Sequence, residues 1–223
     1  VEPMFPKRFR RRAIDKAVSF ITRRLNGEDG LGGIFPAMAN SVMAFRTLGY
    51  ADDHPDHAVA RQSVRKLLVE TDDEAWCPPC LSPVWDTGLA MLALMETGEP
   101  PASGAMNKAS SWLRDAQITD VRGDWSGRAK DVAPGGWAFQ YRNDYYPDVD
   151  DTAVVAMALH RAGSDLYREA IERATEWILG MQSRNGGWRA FDADHESNLL
   201  QNIPFADHGA LLAPPTAHLS AHC

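Results

Sequence analysis

Apolar positions along the chain fall into two kinds of segment. In the first kind, Trp85-Asp86-Thr87-Gly88-Leu89-Ala90-Met91-Leu92-Ala93-Leu94-Met95-Glu96-Thr97-Gly98 and Asp150-Asp151-Thr152-Ala153-Val154-Val155-Ala156-Met157-Ala158-Leu159-His160-Arg161-Ala162-Gly163 align at an offset of 65 positions. Each opens with Asp-Thr, continues apolar nearly all round and closes at a Gly. The pattern predicts a buried helix, capped by Asp or Thr and stopped by a left-handed Gly. Ala39–Gly49 is a shorter relative. The second kind is amphipathic and keeps the same offset: Lys108-Ala109-Ser110-Ser111-Trp112-Leu113 leads to Gln117 and Trp125, and Arg173-Ala174-Thr175-Glu176-Trp177-Ile178 leads to Gln182 and Trp188. Lys16, Phe20 and Ile21, followed by Gly33-Ile34-Phe35, form a degenerate copy. Buried and half-buried helices in alternation, with almost no strand-like alternation, predict an all-α fold, an α/α toroid with an inner ring wrapped by an outer one.

The loops after the second kind of helix have a structural reading. A Gln near a helix C-terminus can bond the free carbonyls there and reach a neighbouring helix start, and a Trp over it shields those bonds. Gln117, Trp125, Gln182 and Trp188 are therefore expected to staple layers together.

Composition adds limits. With 44% apolar and 24% charged residues the chain folds, and no apolar run approaches the ~18 residues of a membrane span. Three cysteines form no disulfide framework, and Cys77-Pro78-Pro79-Cys80 has the spacing of a redox or zinc pair without a second CxxC. The net charge of −7 hides an asymmetry, because residues 1–24 carry eight basic and two acidic groups. That block either binds phosphates, on nucleic acid or an anionic membrane, or is a solvated helix face, since Phe9, Ile14, Val18 and Ile21 recur at helical spacing.

Chemistry concentrates in Asp148-Val149-Asp150-Asp151-Thr152. A helix start accounts for one or two carboxylates, which favour the positive end of the helix dipole. It accounts poorly for three, since each further charge beside an apolar helix adds desolvation and repulsion. The segment lacks the Gly turn and spaced oxygens of a calcium loop.

Asp148-Val149-Asp150-Asp151-Thr152-Ala153 resembles the DxDDTA signature of class II triterpene cyclases, and the Trp- and Gln-bearing loops resemble the QW motifs of that superfamily. Ser82–Ala90, Gly135-Gly136-Trp137-Ala138-Phe139-Gln140 and Ile203-Pro204-Phe205-Ala206-Asp207 are similar to the squalene–hopene cyclase family in particular, and the likeness runs over the whole chain. The resemblance implies a proton-initiated polycyclisation of squalene to hopene- or hopanol-type pentacyclic triterpenes, without cofactor or metal. By position in the motif Asp150 is the proton donor, Asp148 and Asp151 tune it, and His222 is the activating histidine. Trp85, Phe139 and Phe191, with Tyr146 nearby, fall at cation-stabilising aromatic positions, and Phe205 and Ala206 at the channel constriction, where the family often has Cys in place of Ala206. His218 stands where the family commonly has an acid. Positions 218 and 222 share a helix face, so two charged imidazoles would repel. They also look like half of a metal site, with no third ligand apparent in the sequence.

Alternatives are a related class II cyclase acting on another polyprenyl substrate, and a non-catalytic α/α-toroid binding module. A protein prenyltransferase β subunit would need an Asp, Cys and His zinc set that is not arranged here. The partners the resemblance implies are squalene or a similar polyprene and membrane lipid, with peripheral, monotopic attachment on the cytoplasmic side, no nucleic acid, and a homodimer as an option for the full-length enzyme. Without an initiator Met, with a short last helix and an unclosed set of repeats, the chain is expected to be an internal, inactive fragment of a two-domain cyclase. Residues 1–75 are then the end of the first helical domain and 76–223 the first part of the catalytic α/α-barrel domain.

Overall fold

Helices form where the apolar spacing places them, and prolines and caps set where they start. The computed structural model describes residues 6–163, 165–194 and 214–223. The chain divides into two units, Val1–Leu81 and Ser82–Cys223. In the first lie α1 (Lys7–Arg24), α2 (Phe35–Thr47) and α3 (Pro55–Lys66), then a hairpin of two-residue strands, β1 (Val69–Glu70) and β2 (Ala75–Trp76). In the second are α4 (Pro83–Glu96), α5 (Gly104–Asp115), α6 (Val149–Ala162), α7 (Arg168–Gly180) and the short α8 (Ala217–His222), with single 3-10 turns at Asp124–Gly127 and Asp165–Tyr167. The all-α expectation holds, the hairpin being the one named sheet among the described residues.

In the first unit α2 and α3 bury facing stripes, Met38, Ser41 and Phe45 against His57, Ala60 and Ser63, steps of three or four residues that keep each set on one helix face. The Cys77–Cys80 segment anchors the start of α2. Pro79 O accepts from Phe35 N–H at 2.7 Å, and Cys80 bridges to Ile34, with both thiols free. α1 forms as the spacing predicts, yet none of its residues is fully buried, and Phe9 is 49% exposed.

The second unit is organised around α6, which packs against α4, α5, α7 and α8. Eight of its residues are buried, Val149, Asp151 to Val155, Ala158 and Leu159, so the expected burial all round is met over the first two turns only, while Met157 stays 38% exposed and His160 and Arg161 lie at the surface. The expectation for α4 is met on one side only. Val84, Gly88 and Met91 face α6, while Leu89 and Leu94 stay 40% and 44% exposed, because the opposite face has no packing partner among the described residues of this unit. α5 and α7 are amphipathic as read: Met106, Ser110 and Leu113 are buried on one, Ala170, Ala174, Trp177 and Ile178 on the other. Glu96 and Arg161, which also stand 65 apart, pair at 2.6 Å and tie the ends of α4 and α6. Gly98 and Gly163, with φ of 96° and 71°, close the two helices in the left-handed conformation.

One detail of the caps differs. Asp86-Thr87 and Asp151-Thr152 lie inside the first turns, because Ser82 and Asp148 are the N-cap residues and Pro83 and Val149 start the helices. The staples also divide. Gln117 Nε2 donates to Gly135 O and Ala170 O, both at 2.8 Å, and its Oε1 accepts from Arg173, so it joins three segments. Gln182 instead bonds Gly186 O in its own loop, and Trp188 supplies the tie through Nε1 to Ile178 O at 2.7 Å.

Gly136 leaves no room for a side chain. A Cβ there would lie 2.9 Å from Pro147 Cβ, 3.0 Å from Thr152 Oγ1 and 3.1 Å from a Trp177 ring carbon, all held in place. Gly136→Ala is expected to lower stability by about 1–3 kcal/mol, the usual effect of overpacking. Urea denaturation checks this, and a loss below about 0.5 kcal/mol, the range of neutral surface changes, would contradict the tight docking described.

Candidate active site

Three carboxylates enter the unit on the first turn of α6 and are sorted there by backbone bonding. Asp148 is the N-cap: its Oδ1 accepts from Asp150 N–H at 2.8 Å, which satisfies one of the free amides. The cap is clamped by the 135–137 segment. Asp148 N–H donates to Trp137 O at 2.7 Å, Trp137 N–H donates to Thr152 Oγ1 at 2.9 Å, and Thr152 Oγ1–H donates to Asp148 O at 2.6 Å. Asp148 is thereby fixed against the core, Asp151 points into it at 2% exposure, and Asp150 keeps its side chain 20% exposed.

A second element meets Asp150 from far along the chain. α8 is capped by Thr216, whose Oγ1 accepts from Leu219 N–H at 3.3 Å. Its Ser220 Oγ accepts from Trp188 N–H at 3.1 Å, and Val149 N–H donates to Ala190 O at 2.8 Å. The 188–190 stretch thus ties α6 to α8. The result is a short contact between His222 Nδ1 and Asp150 Oδ1, a pair 72 residues apart in sequence. His218 lies exposed one turn earlier, its ring 4.7 Å from that of His222 and inclined at 65°.

Burial lifts Asp151 to a pKa of about 8, helped by the charges of Asp148 and Asp150. Its Oδ1 has no hydrogen-bond partner, so neutrality is the inexpensive state there. Asp148 rises to about 6, burial again leading and the Asp150 amide pulling the other way. Near neutral pH the cluster therefore retains at least one proton. Asp150 alone of the three joins partial exposure to an imidazole partner.

Other residues singled out in the sequence stand as follows. Trp85 on α4, Phe139 after Trp137 and Tyr146 before the acidic turn are half-buried, and the Tyr146 hydroxyl donates to Asp124 at 2.9 Å. Phe191 is 51% exposed, so the four aromatics do not form a continuous buried wall. Phe205 and Ala206 lie outside the described residues. The absence of an apparent third metal ligand needs correction, because the fold brings Asp150 to His218 and His222 with one ligand atom of each within 4.8 Å of the others. A shallow apolar cleft of about 230 Å³ adjoins His222, lined by Ala153, Met157, Ile178 and Leu179 among others. A cleft of about 860 Å³ lies on α2 and α3 and holds none of these acids.

Sequence reading passed over two supports. Trp137 is fully buried, with Nε1 donating to Leu113 O at 2.6 Å, and Thr152 carries the clamp on the cap. The paired glycines before Trp137 were the available signal, since they let the backbone approach α6 and α7 closely.

Comparison with known proteins places the chain among relatives of one family. Residues 81–223 match the family model described as the squalene-hopene cyclase C-terminal domain, and residues 1–73 match the N-terminal domain of the same family. The chain is 57% identical to the squalene–hopene cyclase of Zymomonas mobilis and 53% identical to that of Bradyrhizobium diazoefficiens, over 100% of its own length and 36% and 34% of theirs. It is 42% identical to that of Alicyclobacillus acidocaldarius, over 96% of its length and 34% of that protein. The chain thus spans about a third of the length of the curated relatives it matches.

A carboxyl whose folded pKa is raised binds more protons folded than unfolded. Stability should therefore fall as pH climbs from the unfolded value, about 4, toward the 8 of Asp151. Asp151→Asn is expected to flatten that slope, removing about 3–4 kcal/mol of the loss between pH 5 and pH 8. Denaturation at several pH values measures it, and an unchanged slope would contradict the burial of an ionisable group at this position.

Proposed function

The chain belongs to the squalene–hopene cyclase family, and from that premise we propose that it carries the acid that starts polyene cyclisation in a longer enzyme. The substrate in this reading is squalene, and the products are hopene or hopanol. The observation that carries the reading is the pairing of Asp150 with His222 at the exposed edge of an otherwise buried carboxylate turn.

An alkene is a very weak base, so its proton donor must be a strong acid that is nonetheless protonated at rest. The two demands conflict, and the site offers an answer to each. In this reading Asp150 carries the transferred proton on Oδ2, the oxygen that His222 does not engage. His222, donating from Nδ1 to Oδ1, stabilises the carboxylate as it forms and so lowers the barrier to transfer. The proton moves from Asp150 to the less substituted carbon of the polyene's terminal double bond. A tertiary cation and an Asp150 carboxylate result, and successive ring closures consume the remaining double bonds. The final cation loses a proton to give hopene, or takes up water and releases one of its protons to give hopanol. Trp85, Phe139 and Phe191, with Tyr146 nearby, are assigned to cation stabilisation, each aromatic face contributing about 0.5–2 kcal/mol. The exposed apolar face of α4 fits a cavity wall completed by parts of the enzyme beyond this chain. Phe205 and Ala206 are assigned to the substrate channel.

Such a substrate resides in lipid, and peripheral attachment to a membrane belongs to the same reading. No helix among the described residues is long and apolar enough to cross a bilayer. α1 instead combines eight basic residues with Phe9 and Phe20 exposed, a composition suited to the anionic interface of the cytoplasmic leaflet. Flotation of the full-length protein with liposomes should show stronger binding to anionic than to neutral lipid, and equal binding would remove the electrostatic part.

In the full-length protein, incubation with squalene and mass spectrometry of the products should show hopene or hopanol; neither product would overturn the assignment. Asp150→Asn should lower turnover by at least about 10³-fold, within the range for general-acid catalysis, with the circular-dichroism spectrum unchanged. Substantial residual turnover would refute Asp150 as the donor.

A further inference from the structure

We propose that Asp150, His218 and His222 form a three-ligand site for a transition-metal dication of zinc type, and that an ion bound there occupies the carboxyl assigned to proton transfer. The binding part rests on ligand geometry alone. Its inhibitory consequence rests on the proton-donor reading of Asp150.

One nitrogen from each imidazole and one oxygen of Asp150 lie mutually within 4.8 Å. Zinc bonds of about 2.0–2.2 Å need ligand atoms about 3.5 Å apart, so small side-chain rotations suffice. Two histidines at i and i+4 present nitrogens on one helix face, a spacing used repeatedly for zinc. The donor set, two imidazoles and one carboxylate with a position open to water, suits zinc, nickel or copper. It does not suit calcium or magnesium, which require six or more oxygens or an octahedral shell.

The ligands are also held in place before any ion arrives. α8 is capped by Thr216 and fastened to Trp188 through Ser220, while Asp150 sits on a helix clamped by Thr152 and Trp137. His218 is exposed, which gives an ion direct access from solvent, and it has no part in the proton transfer described above. Coordination requires His222 to release its contact with Asp150 and the carboxyl to give its proton to solvent. No electron is transferred, and the ion remains two-plus throughout.

The test uses the full-length protein without a histidine tag, dialysed to equilibrium against zinc chloride, with bound metal counted by atomic absorption. Cobalt substitution adds a visible spectrum that reports tetrahedral nitrogen and oxygen ligation. The wild-type protein should take up one zinc equivalent, and His218→Ala and Asp150→Asn should each weaken that uptake about tenfold or more. Circular dichroism establishes that both variants are folded. No uptake by the wild type, or uptake by His218→Ala within twofold of the wild type, overturns the site. Zinc should also inhibit squalene turnover reversibly, with chelator restoring it. Stoichiometric binding at these residues without inhibition would uphold the metal site and overturn Asp150 as the donor.

Discussion

The first turn of a buried helix has to hold three carboxylates, and most of the second unit serves that constraint. Asp148 takes up the amide of Asp150, Thr152 closes on the carbonyl of Asp148, and Trp137 bonds to both residues of the clamp. Gly136 lets this segment lie against Pro147, Thr152 and Trp177. The same turn is joined to α8 by the 188–190 stretch, which is why a histidine from the far end of the chain reaches Asp150. Packing and chemistry share the same bonds: what seats α6 in the core also decides which carboxylate faces outward.

The repeat sets off what is special about that turn. Asp86 and Asp151 occupy equivalent positions, 65 residues apart, as do Thr87 and Thr152. Asp86 is exposed and accepts from Ser82 Oγ at 2.8 Å, an ordinary first-turn contact. Asp151 is 2% exposed, and its pKa rises to about 8. One helical position thus carries a solvated helix-start carboxylate in one copy and a buried, proton-retaining group in the other. Asp148 and Asp150 have no acidic counterparts in the earlier copy, where Pro83 and Trp85 stand. The repeat builds the helix, and the departures from it build the site.

The buried and amphipathic helices, their glycine stops and the crowding of acids were legible because each rests on local periodicity or capping. Family signatures made Asp150 and His222 nameable as partners before the fold placed them together. Trp137 and Thr152 were not legible as the clamp, since their bonds link segments 15 residues apart through backbone atoms that no side-chain pattern encodes. The exposed face of α4 was misread for a related reason: an apolar helix shows that cover is needed, and the sequence does not say which segment supplies it. The third partner of His218 and His222 was invisible because Asp150 is 72 residues from His222 along the chain.

The account stands on Asp150 and His222 acting as one acid. A double-mutant cycle on squalene turnover in the full-length protein, with Asp150→Asn, His222→Ala and both together, measures this directly. A single functional unit predicts strong non-additivity, with His222→Ala costing nothing further once Asp150 is Asn. Additive losses, with His222→Ala lowering turnover equally in both backgrounds, would contradict it.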